Sequence, residues 1–99
     1  MNELEIFKAL SNQTRLQILQ WLREPEKHFP PQGHSFTEVG GCVGQIQQKC
    51  GLTQSTVSEY LALLQRVGLI TATRMGQWTY YKRNDEAFEA LGKFVQSTL

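Results

Sequence analysis

The sequence predicts a mainly α-helical single domain of about five helices with one small two-stranded β-hairpin. Three observations carry that expectation. Apolar residues recur at helical spacing near both ends of the chain and in its middle. Gly51-Leu52-Thr53, a glycine and a polar cap, separates two of those helical runs. Two runs rich in β-branched and aromatic residues, 69–74 and 78–83, flank Met75-Gly76-Gln77. A chain of 99 residues has room for one domain, 1–99, with a modest core. Its 40% hydrophobic and 19% charged content argues against wholesale disorder.

The elements follow in order. Leu4, Phe7 and Leu10 fall three apart among Glu3, Glu5 and Lys8, which reads as a short amphipathic helix. Ser11-Asn12 interrupts it and caps a second helix with Leu16, Ile18, Leu19 and Leu22 on one side and Trp21 at the edge. That helix stops before Pro25, whose ring clashes with a preceding turn. Residues 24–41 hold all three prolines and close on Gly40-Gly41, so they read as a long irregular loop. Residues 43–67 read as a helix-turn-helix. Val43 to Cys50 forms a short helix closed by Gly51. Thr53 caps the next one, where Val57, Leu61 and Leu64 recur at the spacing of a buried face. Gly68 ends it, and the hairpin occupies 69–83. Asn84-Asp85 caps a last helix, 85–98, with apolar Ala87, Phe88, Leu91, Phe94 and Val95. Its acidic residues lie early and Lys93 late, as the helix dipole favours.

Helix, tight turn, helix and glycine-tipped hairpin form the arrangement of a winged helix-turn-helix. With Val57, Leu61 and Leu64 inward, ~100° per residue puts Ser55, Ser58, Glu59, Ala62 and Arg66 outward. Thr53, Gln54, Ser55, Thr56 and Ser58 gather at the helix start, the part of a recognition helix that enters the major groove. Gln pairs bidentately with adenine, Ser and Thr bond to bases or phosphates, and free amides there hold a phosphate oxygen. The same residues also suit an ordinary capped surface helix.

Charge distribution separates these readings. The net charge of +1 argues against binding nucleic acid by bulk charge. Between Val39 and Asn84, however, five cations (Lys49, Arg66, Arg74, Lys82 and Arg83) face only Glu59, giving +4, and the rest of the chain carries −3. A local basic patch is what phosphate contacts need.

The run Leu52-Thr53-Gln54-Ser55-Thr56-Val57-Ser58-Glu59-Tyr60-Leu61, with Leu64 and Gly68-Leu69-Ile70, resembles the recognition-helix signature of the ArsR (arsenical-resistance repressor) family. Phe7 to Leu16 with Ile18-Leu19 is similar to that family's opening segment, and Gly76-Gln77-Trp78-Thr79-Tyr80-Tyr81 to its wing. The resemblance covers nearly the whole chain except residues 24–41. It implies a homodimeric repressor binding double-stranded operator DNA in an inverted repeat, with small ligands relieving repression. The DNA-binding set is then Thr53, Gln54, Ser55, Thr56, Ser58, Glu59, Arg66, Arg74 and Gln77. The terminal helices would pair through Leu4, Phe7, Phe88, Leu91 and Val95; packing within one subunit is the alternative.

The effector site departs from the family. Arsenic-sensing members carry Cys-Val-Cys-Asp where this chain has Cys42-Val43-Gly44-Gln45. The zinc or cobalt site on the last helix needs Asp and His, and residues 85–99 hold no histidine. His28, His34, Cys42 and Cys50 match no compact metal spacing, so neither metal nor other cofactor is expected. Cys42 and Cys50 remain candidates for a redox or effector role. On one helix their eight-residue separation spans ~12 Å, beyond the ~7 Å a disulfide tolerates. Unpaired cysteines and an acidic start, Met1-Asn2-Glu3-Leu4-Glu5, without an apolar stretch lead to the expectation of a cytoplasmic protein. The longest apolar run, Tyr60 to Leu64, falls far short of the ~20 residues of a membrane span. A winged-helix protein-interaction module is the competing function. An enzyme is not expected, because no catalytic spacing, phosphate loop or carboxylate pair is present.

Overall fold

In the computed structural model, which describes residues 2–99, the chain opens with helix α1 (Glu3–Leu10). Met1, the first residue of the 1–99 domain and of the acidic start, lies outside the described residues. The Asn2 side chain accepts the Glu5 amide at 3.1 Å and so starts the helix. The residues that enter the core lie beside the Leu4-Phe7-Leu10 strip. Ile6 and Ala9 enter the core, whereas Leu4 is 62% exposed and Phe7 and Leu10 are half-buried. Both sets have helical spacing, so periodicity alone does not choose between them.

Helix α2 (Gln13–Arg23) begins as expected, with Asn12 accepting the Arg15 amide at 2.9 Å. Ile18, Leu19 and Leu22 are buried, and Leu16 instead stays exposed. The expected loop over 24–41 is corrected by the structure. Pro25 starts a one-turn helix α3 (Pro25–His28), for which its fixed φ is suited. A second single turn, α4 (Phe36–Val39), follows. Phe29 and Val39 are buried and anchor the excursion. Strand β1 (Gly41–Cys42) closes it.

Helix α5 (Val43–Cys50) ends at Gly51, whose φ of 68° is the left-handed cap. Helix α6 (Gln54–Arg66) is capped by Thr53. Strands β2 (Ile70–Met75) and β3 (Trp78–Arg83) form the hairpin. The expected two-stranded wing is thus part of a three-stranded antiparallel sheet of order β1-β3-β2. Gly41 pairs with Tyr81 and Cys42 with Tyr80. Helix α7 (Asp85–Thr98) completes the chain. The expected count of about five helices becomes seven among the described residues, through α3 and α4. Asn84 does not cap α7 with its side chain. It donates instead to the Gly68 carbonyl at 2.8 Å, while its amide bonds to the Leu69 carbonyl at 2.9 Å.

The core lies where α1, α2, α5, α6 and the base of the hairpin meet. Ile18, Ile46, Leu61, Leu64 and Leu69 are wholly enclosed there. Among the described residues no helix is long and apolar enough to cross a membrane.

Candidate nucleic-acid interface

The site is built outward from that core. Val57, Leu61 and Leu64 are at most 1% exposed, so they fix the rotation of α6 and present its opposite face to solvent. In the first turn, Thr53 Oγ1 accepts the Thr56 amide at 3.3 Å and donates to Thr56 Oγ1 at 2.9 Å. It also lies 3.3 Å from Ser55 Oγ. Thr53 and Thr56 are therefore engaged in holding the turn. Gln54 and Ser58 are exposed and make no side-chain hydrogen bond among the described residues. Ser55 is also exposed and is tied only to Thr53. The first-turn amides of Gln54 and Ser55 have no intrahelical acceptor and carry the positive end of the helix dipole. This surface can accept an anion and offers an amide and two hydroxyls to hydrogen-bonding edges. Glu59 and Arg66 are exposed farther along the helix.

A buttress behind α6 was not read from the sequence. Arg15 Nε donates to the Ala9 carbonyl at 2.7 Å and Nη2 to the Lys8 carbonyl at 3.3 Å. Its guanidinium lies over the Tyr60 ring at 5.2 Å, and Asn12 Nδ2 donates to the Tyr60 hydroxyl at 3.4 Å. One arginine thus closes the end of α1 and braces α6. The available signal was its position, since a cation in the first turn of a helix opposes the dipole and calls for a partner.

The hairpin supplies the second surface. Gly76 has φ of 64° and Gln77 does not have positive φ, the II′ pattern suited to two-residue hairpin turns. Arg74 and Gln77 are exposed at the tip, with Arg74 Nε donating to the Gly76 carbonyl at 3.3 Å. Trp78, 51% exposed beside them, was absent from the expected set. A tryptophan at the first strand position after a turn was the signal for it.

The basic segment is less uniform than its charge count. Arg83 pairs with Asp85 and stacks on Phe88 at 4.0 Å, and its side chain is only 21% exposed. The Lys49 ammonium lies 5.3 Å from the Trp21 ring. Arg66, Arg74 and Lys82 are exposed and outside any ion pair among the described residues.

The terminal helices meet through Phe7 and Phe94, whose rings lie 6.4 Å apart. Leu4 and Val95 are exposed, and Phe88 is covered by Arg83. Leu91, expected on a dimer surface, is buried within the protomer at 8% exposure, because α7 turns it onto the core.

The effector candidates are spread apart. Cys42 precedes α5 and Cys50 ends it, and both are free thiols. Burial pushes the Cys50 thiol above its ordinary pKa, which disfavours the reactive thiolate. Cys42-Val43-Gly44-Gln45 does not fit the family's arsenic site. Gly44 offers no ligand, and Gln45 offers a neutral amide in place of a carboxylate. His34 stacks edge-on against Tyr80 at 5.3 Å, and His28 is exposed on α3. Among the described residues no three His, Cys, Asp or Glu side chains converge.

Comparison with known proteins agrees with this geometry. Residues 41–72 match the family described as bacterial regulatory protein, arsR family. The chain is 52% identical over 100 residues to the uncharacterized HTH-type transcriptional regulator YbzH of Bacillus subtilis (strain 168), covering 100% of both chains. It is 34% identical over 85 residues to the arsenical resistance operon repressor of the same strain, covering 86% of this chain and 69% of the relative. A homodimeric winged helix-turn-helix DNA-binding domain from Mycobacterium bovis superposes with a TM-score of 0.64 at 28% identity, covering 93% of this chain and 72% of that one.

Proposed function

This chain belongs to the arsR family of bacterial regulatory proteins and is a winged helix-turn-helix transcription regulator rather than an enzyme, and from that premise we propose that it is a homodimeric repressor of an inverted-repeat operator. The observation that carries the proposal is the N-terminal part of α6. There Gln54, Ser55 and Ser58 are exposed while Thr53 and Thr56 hold the backbone for them.

Two copies pair through the apolar strip of α1 and α7, as Leu4, Phe7 and Val95 favour, which sets two α6 helices on one face of the duplex. Half-sites then lie about 34–36 Å apart, one helical turn, or a multiple of that. Gln54 reads a base edge, Ser55 and Ser58 bond to bases or phosphates, and the Gln54 and Ser55 amides hold a phosphate. Glu59 borders that surface and excludes phosphates from its side of the helix. Arg66, Arg74 and Gln77 contact the backbone on either side. Similarity to an arsenical resistance operon repressor supports repression as the outcome. A protein that acts on a chromosomal operator works in the cytoplasm, which is the location this reading calls for. The proposal invokes no metal or cofactor.

Mapping bound DNA across the genome, followed by affinity measurements on the recovered site, tests this reading. An inverted repeat is expected, and Gln54→Ala costs ~1–3 kcal/mol on it. Arg74→Ala weakens binding to every sequence and lowers the salt slope by ~1. No salt-sensitive binding to any fragment, or unchanged affinity in both variants, removes the repressor reading in favour of a protein-interaction module.

A further inference from the structure

The excursion over residues 25–40 has no part in the reading of DNA described above, yet it is firmly built. Gly40 has φ of 80°, and a Cβ there would stand 2.0 Å from the Tyr81 carbonyl oxygen, so this backbone lies directly on β3. Gln32 Nε2 fastens it by donating to the Gly40 carbonyl at 2.7 Å. Gly41 is held in turn by Leu22 and Phe29, 3.2 and 3.3 Å from where its Cβ would be.

The excursion borders an open cleft of about 240 Å³ against the end of α2 and the β3–α7 junction. Leu22 and Pro25 are buried and Phe36 half-buried, which gives the cleft an apolar floor. Arg23, Lys82 and Arg83 are among the residues that line it, and as neighbours on β3 Lys82 and Arg83 project their side chains to opposite faces of the strand. Arg83 is paired with Asp85. Arg23 and Lys82 have no ion pair among the described residues. Glu26 also lines the cleft, so its lining carries three cations against two carboxylates, a net charge of +1.

We propose that this cleft is an effector site for a small organic monoanion, a carboxylate carrying a short hydrocarbon part. The carboxylate lies between Arg23 and Lys82, and the hydrocarbon rests on Leu22, Pro25 and Phe36. Glu26 and Asp85 repel multiply charged ions, and the apolar floor gives a bare inorganic ion nothing to contact. Lys82 is one of the exposed cations of the +4 reading segment. A bound anion neutralises it and joins the base of the wing to α2 and the excursion, which weakens DNA binding. The regulatory half of this proposal rests on the DNA-binding reading above, and the binding half does not.

The test titrates the full chain, free of DNA, with benzoate, benzamide and inorganic phosphate, following backbone amides by NMR. Benzoate is expected to bind at millimolar concentration and to shift the amides that line the cleft. Benzamide and phosphate bind about ten-fold more weakly, and Arg23→Gln or Lys82→Gln weakens benzoate by about ten-fold, the worth of one charged hydrogen bond. Phosphate binding as tightly as benzoate means an adventitious ion only and overturns the site. Absence of millimolar benzoate binding, or shifts confined to another surface, also overturns it. On the recovered operator, benzoate lowers the affinity of the native protein severalfold, and Arg23→Gln needs about ten-fold more benzoate for the same effect. Benzoate bound in the cleft with DNA affinity unchanged overturns the regulatory half. Failure to bind DNA at all counts against the repressor reading and leaves the benzoate titration to judge the site.

Discussion

Asn84 stands between the hairpin and the last helix, and both of the bonds it donates reach the turn that follows α6. Its amide takes the Leu69 carbonyl at 2.9 Å and its side chain the Gly68 carbonyl at 2.8 Å. One residue therefore ties the end of the recognition helix to the start of α7. The sequence marks Asn84 as a helix cap, and local propensity supports nothing else. Its side chain turns inward because a part-buried carbonyl left unpaired costs more than an exposed helix start that water can satisfy. Asn84→Ala is expected to lower stability by about 1–2 kcal/mol through the orphaned Gly68 carbonyl. For a chain of this size each 1 kcal/mol lowers Tm by roughly 4–8 °C. Thermal unfolding monitored by circular dichroism measures the loss, and an unchanged Tm shows the side-chain bond to be dispensable.

At the scale of elements, α6 depends on α1 and α2 through Arg15. Arg15→Ala removes two bonds to carbonyls at the end of α1 and the cation over Tyr60. The expected cost is about 2–3 kcal/mol, mostly from the charged hydrogen bonds. Arg15→Lys keeps the charge but lacks the planar fork that reaches two carbonyls and a ring together, so it recovers only part. Chemical denaturation of the two variants checks the order, and a lysine variant equal to the native protein rejects the fork argument. Such contacts explain which parts of the fold were legible beforehand. Asn12, Gly51, Thr53 and Gly76 act within a few residues of themselves, so caps and turns could be read from local sequence. Strand β1 has two residues and exists only because Tyr80 and Tyr81 pair with it. Helices α3 and α4 are single turns, too short to show a period. The candidate site divides in the same way. The outward face of α6 followed from its buried face, whereas the engagement of Thr56 with Thr53 and of Arg83 with Phe88 needed coordinates.

At the scale of the molecule, one protomer carries one recognition helix, and a two-half-site operator needs two. The near-neutral total of +1 conceals a +4 segment between acidic flanks, so in the proposed dimer charge would draw that segment to DNA while apolar contacts join the copies. The residues expected to make those contacts differ in exposure. Leu91 is 8% exposed and belongs to the protomer's own core, whereas Val95, one turn on, is 45% exposed and Leu4 62%. This difference separates stability from association. Leu91→Ala is expected to destabilise the fold by about 2–3 kcal/mol, the lower part of the range for a buried leucine. Val95→Glu leaves the fold intact, because the new carboxylate stays in water in an isolated protomer. In the dimer it must be desolvated without a partner, at a cost of several kcal/mol per buried ion. Sedimentation should then show a monomer with native helix content, and affinity for the full inverted repeat should fall to that for a single half-site. A dimeric Val95→Glu protein with undiminished affinity would place the interface on another face and leave Leu4 and Val95 as solvent-exposed residues of the terminal helices.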